Sequence, residues 1–250
     1  ELIRSFKDSL SEKKEYADEV FHDIKTLLST LTIEFNTIKE CHNIPKQETL
    51  DTIGNTIGDL VRMVNDLCFF VEIEKQHKVR NKCYWRDIIN NAINQCQAVW
   101  EKYSPPTLIF DINYKSKNYF SNHPKALMPF ELEKMDEEIY CNEILMIRAV
   151  KNIIENSIKY TRKKENPKVV ISICQNEKVE LSIWDNGCGV RKCDINRIKT
   201  RGFRANIELI RQTPGSGMGL AIADQIIIYA GKTLNIKSEQ DKYCEMQIWS

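Results

Sequence analysis

Apolar residues recur at Ala17, Val20, Ile24, Leu27, Leu31, Phe35 and Ile38, a spacing of three and four that predicts a long amphipathic helix. A break at CHNIPK follows, with Pro45 where a helix readily starts. From Leu50 the alternation becomes regular through Ile53, Ile57, Leu60, Val64, Leu67 and Val71, a seam suited to knobs-into-holes packing. Two helices in a hairpin bury two such stripes poorly. Residues 1–80 are therefore expected to form a helical hairpin that dimerises, through residues 11–77, into a four-helix bundle.

After Lys82 the period changes. WRDIINNAINQCQAVW reads as one more amphipathic helix, and Pro105 with Pro106 ends it before a strand at TLIFDI. Residues 113–135 carry no clean period and contain Pro124 and Pro129, so a surface insertion without regular structure is expected. A short strand EEIYC follows, then a helix from Asn142 to Arg162, strands KVVISIC and VELSIWD, an irregular basic stretch to Pro214, and a helix after Gly217. Strands TLNIKS and YCEMQIW come last. This order predicts an α+β sandwich over residues 81–250, a mixed sheet with helices on one face.

Charge sharpens the division. Of the 36 Lys and Arg and 35 Asp and Glu, residues 1–80 hold 11 and 15, leaving 25 and 20 for the rest. An acidic first part and a mildly basic second part point away from nucleic acid and toward a small anionic ligand in the second part. Nine cysteines, an odd number without a CxxC pair, argue against a disulfide framework or zinc site and for reduced thiols. No apolar run approaches the ~18 residues of a membrane span, and the first ten residues do not read as a secretory signal. A cytoplasmic fragment without membrane contact is expected, with Glu1 internal to a longer chain.

Three polar or glycine clusters stand out in the second part. In NIIENSIKYTR, Asn152 and Asn156 share a helix face, with Lys159 and Tyr160 one turn on. Two carboxamides can offer oxygens to Mg²⁺, and Lys159 can meet a phosphate, although a solvated helix face reads the same way. In WDNGCGV, Asp185 ends a strand and can accept an amino hydrogen of a base, while Gly187 and Gly189 admit close approach. A hairpin turn is the alternative there. In PGSGMGLAIADQI, Gly215, Gly217 and Gly219 lead into a helix whose first amides suit an anion, unless the loop is merely flexible. The GKT at Gly231 to Thr233 is no P-loop, because Ile226 stands where that loop needs glycine.

In order and spacing the three clusters resemble the nucleotide site of the GHKL (Bergerat-type) ATPases, specifically the catalytic domain of two-component sensor histidine kinases. The first part fits as well: His22, Asp23 and Thr26 match the H-[ED]-x-x-[TN] phospho-acceptor motif, and His22 lies outside the helix seam. The resemblance covers about residues 11–112 and 136–250. It implies that Asn152 and Asn156 hold Mg²⁺, Lys159 meets the phosphates of ATP, Tyr160 covers the adenine and Asp185 takes its amino group. Gly187, Gly189, Gly215, Gly217, Gly219 and Leu220 would shape the pocket and a lid over about 198–216, with Arg204 on the terminal phosphate.

The implied reaction is autophosphorylation of His22, with Asp23 orienting the imidazole, then transfer to an aspartate on a response regulator receiver domain, with Thr26 positioning water for the reverse dephosphorylation. Where gyrase-type relatives carry a water-activating glutamate, this chain has Asn152, which cannot act as a base. The alternative is a nucleotide-binding signalling dimer without catalysis. Leu27, Asn142 and Ser157 replace the usual proline, aspartate and alanine of the family, and no glycine pair precedes the last strand.

Overall fold

The computed structural model describes residues 24–36, 38, 47–76, 79–103, 109–114, 117–121, 137–161, 164–173, 179–205 and 217–250. His22, Asp23 and Gly215 lie outside them, as do 115–116 and 122–135 of the expected insertion and 206–216 of the expected lid. The chain divides into two compact units, with the boundary between Phe69 and Phe70.

The first unit contains helix α1, residues 24–36, and most of α2, Gln47–Gln76. Thr56 and Met63, one heptad apart, are buried. Leu50, Ile57 and Val64, the alternate members of the expected seam, are 45%, 48% and 45% exposed. Seven-residue spacing places these three in one line along α2. A single copy therefore leaves an apolar line uncovered.

The second unit begins with strand β1, Asn81–Tyr84, helix α3, Trp85–Gln95, and helix α4, Gln97–Tyr103. The expected single helix over 85–100 is thus broken at Cys96, a turn whose amide is shared between the carbonyls of Ala92 and Ile93. Strands β2, Ile109–Tyr114, and β3, Lys117–Ser121, come next, then β4, Glu138–Cys141, and helix α5, Glu143–Thr161. The Asn142 side-chain oxygen accepts from the Leu145 amide at 3.2 Å and so caps α5. Strands β5, Lys168–Ile173, and β6, Val179–Asp185, lead to helix α6, Gly219–Tyr229, and to β7, Thr233–Glu239, and β8, Tyr243–Trp249.

Six strands form one sheet in the order β3-β2-β5-β6-β8-β7, with β2 and β5 parallel and every other pair antiparallel. β1 and β4 pair separately. Alternate residues Val169, Ile171 and Ile173 of β5, Leu181 and Ile183 of β6, Leu234 and Ile236 of β7, and Met246 and Ile248 of β8 are buried, as a sheet with one covered face requires. Helix α5 packs on β5 and β6, α6 on β7, and α3 on α5. Other strand positions carry a polar ladder: Ser182 and Gln247 both donate to Glu245 at 2.7 Å.

Residues 113–121 correct one expectation. Asn113 and Tyr114 complete β2, and Lys117–Ser121 form the edge strand β3, with Phe110 opposite Ser121. An edge strand tolerates charged and polar residues on both faces, which is why KNYFS shows no alternation.

Candidate nucleotide-binding site

Helix α5 lies at the centre of the site because its apolar residues bury it on two sides: Leu145, Met146, Ala149, Val150, Ile153, Ile154 and Ile158 are all at most 2% exposed. What remains is a narrow polar stripe. Asn152 and Asn156 lie one turn apart on it, both half-buried. The Asn152 amide nitrogen donates to the Gly219 carbonyl at 2.9 Å, which fixes the amide's orientation and leaves Oδ1 as its acceptor. The α5 cluster and the start of α6 are thereby joined across 67 residues of sequence.

The second cluster meets the same helix. Asp185, at the end of β6, is 3% exposed. Its Oδ2 accepts from the Ser157 hydroxyl and its Oδ1 from the Gly187 amide, both at 2.9 Å. Burial pushes the carboxyl up to about 7, against the opposing pull of those two donors. The Cys188 amide donates to the Tyr160 carbonyl at 3.2 Å, so the backbone after Asp185 is stitched to the last turn of α5. Asn186 clamps the turn from outside, accepting from the Lys168 amide at 2.8 Å and donating to the Asn166 carbonyl at 2.7 Å.

Gly187 and Gly189 are required by the protein itself. A Cβ on Gly187 would lie 2.6 Å from Asp185 Oδ1 and 2.8 Å from the Tyr160 carbonyl oxygen. Gly189 has φ of +57°, and a Cβ there would lie 2.1 Å from the Glu239 carbonyl oxygen at the end of β7. Left-handed strain of about 1–2 kcal/mol adds to about 1–3 kcal/mol for forcing backbone apart. Gly189→Ala is therefore expected to lower the thermal midpoint of this unit by about 10 °C, read by circular dichroism.

Lys159 is nearly buried, and its ammonium meets Glu155 at 3.3 Å, while Glu155 also takes Lys151 at 3.2 Å. Glu155 was not singled out from the sequence, although its position four residues before Lys159 is the signal for such a pair. Gly217, with φ of +70°, lies against the Gly202 carbonyl and the Arg204 side chain, so the two ends of segment 206–216 come together. Leu220 is buried in α6. Thr26 is exposed on α1. Lys232 of the GKT sequence pairs with Glu180 behind the C-terminus of α6, which removes it from any phosphate loop.

The arrangement suits a nucleotide with Mg²⁺. Helix α6 starts without a side-chain cap and without an acidic residue in its first turn, so its first amides stay available to an anion. Among the described residues no group of three His, Cys, Asp or Glu could hold a metal ion alone. Two neutral carboxamide oxygens suit a hard cation that brings phosphate oxygens with it.

The family model described as histidine kinase-, DNA gyrase B-, and HSP90-like ATPase matches residues 141–250. Similarity to sensor histidine kinases extends beyond these residues. The signal transduction histidine-protein kinase ArlS of Staphylococcus epidermidis is 21% identical over 99% of this chain and 50% of its own length. The sensor protein CiaH of Streptococcus pneumoniae is 20% identical over 96% and 50%. The chain thus spans about half the length of the curated relatives it matches. In fold it is similar to Acinetobacter baumannii histidine kinase AdeS, with TM-score 0.62 at 16% identity, covering 91% of this chain and 96% of that one. It is also similar to histidine kinase ThkA, solved in complex with the response regulator protein TrrA, with TM-score 0.67 at 15% identity over 98% and 64%. Among the described residues no helix is long and apolar enough to cross a membrane.

Proposed function

We propose that this chain is the cytosolic catalytic core of a homodimeric sensor histidine kinase. It binds ATP with Mg²⁺ in residues 81–250, phosphorylates His22 and passes the phosphoryl group to an aspartate of a response regulator receiver domain. The observation that carries this reading is the convergence on α5 of clusters far apart in sequence: Ser157 on Asp185, and Asn152 on Gly219. The uncovered line of Leu50, Ile57 and Val64 supports dimerisation through the helical unit.

In this reading Asp185 accepts the amino group of adenine, Tyr160 lies over the ring, and the α6 amides with Lys159 and Arg204 receive the phosphates. Asn152 and Asn156 would hold Mg²⁺, which neutralises phosphate charge when bound. Asn152 is an amide and cannot activate water, so the γ-phosphoryl group is kept for a protein nucleophile. A neutral imidazole nitrogen of His22, oriented by Asp23, attacks phosphorus as the bond to ADP breaks. Thr26, exposed on α1, would position water on a partner's phospho-aspartate.

Lys159 must leave Glu155 to reach phosphate. Glu155→Gln is therefore expected to tighten ATP about two- to fivefold at low salt, the value of releasing one ion pair spaced four residues apart on a helix, and to leave adenosine affinity unchanged. Calorimetric titration with both ligands checks this.

The direct test is incubation of the purified chain with γ-labelled ATP and Mg²⁺. Label that is acid-labile and alkali-stable is the expected result. Bound nucleotide without label would reassign the chain as a binding module.

A further inference from the structure

Five helix hydroxyls among the described residues satisfy themselves locally. Ser29, Thr30, Thr32, Thr56 and Thr161 each donate to the carbonyl four residues back, at 2.8–3.1 Å, the ordinary habit of a mid-helix Ser or Thr. Ser157 does not. Its hydroxyl crosses to β6 and donates to Asp185 Oδ2 at 2.9 Å, with both side chains at most 3% exposed. The other carboxylate oxygen is held by the Gly187 amide. Each oxygen accepts one protein donor and keeps one lone pair, so an ionised Asp185 offers acceptors alone.

We propose that Ser157 is a positioning residue for purine selection, its hydroxyl holding Asp185 as an acceptor-only carboxylate that takes a 6-amino purine and repels a 6-oxo purine. This rests on the nucleotide-binding reading of the site. A hydroxyl donor stabilises the charged form of the acid it touches, and here it works against complete burial, which drives the carboxyl toward its neutral form. Once neutral, the acid gains a proton to donate. The oxygen at position 6 of guanine then meets a donor instead of a second acceptor, and discrimination falls.

The surroundings leave that balance to Ser157 and Gly187. On β8, Cys244 is the register partner of Asp185, and Cys188 follows it in the loop. Burial pushes both thiols up, Cys188 to about 11, so both stay neutral near pH 7. Val169 stands opposite on β5. Beyond Cys188, the Lys164 ammonium is tied to the Asp241 carbonyl at 2.7 Å.

The test is the ratio of ATP to GTP affinity from pH 6 to 9, in which titration of the phosphates cancels. In the wild-type chain the ratio is expected to rise with pH through about 7 and level off. In Ser157→Ala the midpoint moves up by about one pH unit, the value of one hydrogen bond. The ratio then drops about threefold at pH 7.5 and returns by pH 9. Ser157→Cys, with a weak donor in the same place, falls between. Affinity lost equally at every pH with an unchanged ratio would assign Ser157 to packing and overturn the proposal. A wild-type chain that binds neither nucleotide would instead remove the nucleotide reading itself.

Discussion

In the His22→Gln protein, label from γ-labelled ATP is expected to fall to background while ATP binds as tightly as in the unsubstituted chain. The two halves of this outcome have separate causes. A carboxamide has no nucleophilic nitrogen, since its lone pair is delocalised into the carbonyl, so no phosphorus–nitrogen bond forms. The groups proposed to hold the nucleotide all lie between Asn152 and Leu220, on elements that His22 does not belong to. Filter binding of labelled protein, with calorimetry for ATP, separates the two. Label retained in His22→Gln would place the acceptor elsewhere and end the assignment of His22.

Asp185→Asn is expected to weaken ATP about 100-fold, about 2.7 kcal/mol, the cost of replacing a charged acceptor by a group that faces the adenine amino group with a donor. The nucleotide-free protein should respond in the opposite sense. The folded carboxyl is pushed up to about 7, against ~3.9 in an unfolded chain. A raised acid holds its proton more tightly when folded. Its contribution to stability is full below about pH 4 and is lost as the pH rises through about 7. Thermal midpoints of the nucleotide-free chain therefore fall between pH 5 and 8, and in Asp185→Asn this part of the slope disappears. Nucleotide affinity in the unsubstituted chain rises over the same interval. Parallel pH series of melting and of ATP titration for the two proteins check both signs, and an unchanged melting slope in Asp185→Asn would refute the account of Asp185.

Much of the second unit was legible in the sequence because its elements are buried on one side and keep a strict period. The strand VELSIWD coincides with Val179–Asp185, and the helix expected from Asn142 starts at Glu143 with Asn142 as its cap. Weakly buried elements were not legible. β1, Asn81–Tyr84, is four residues long with two exposed, and β3 lies at a sheet edge; neither shows alternation. The parallel pairing of β2 with β5 and the interior place of β8 depend on contacts between distant segments that no local pattern records.

At the site, residue types and spacing marked Asn152, Asp185 and the glycines, but not why the glycines are needed. The sequence suggests a ligand beside Gly189, whereas its immediate neighbour is the end of β7 at Glu239. Ser157 stood out only as an unusual residue; its partner is 28 positions away, and only the fold brings it within hydrogen-bonding distance.

The interior place of β8 bears on how the protein is made. β6 and β7 do not pair with each other; β8 lies between them. A nascent chain that has produced β6 must add everything from Asn186 to Lys242 before that side of the strand can be paired, about 3 to 11 s at ordinary rates of synthesis. Throughout this interval the edge of β6 that later meets β8 stands open, a template for pairing with a neighbouring nascent chain. Yield of folded protein should thus depend on translation speed across this stretch and on chaperones that cover the edge.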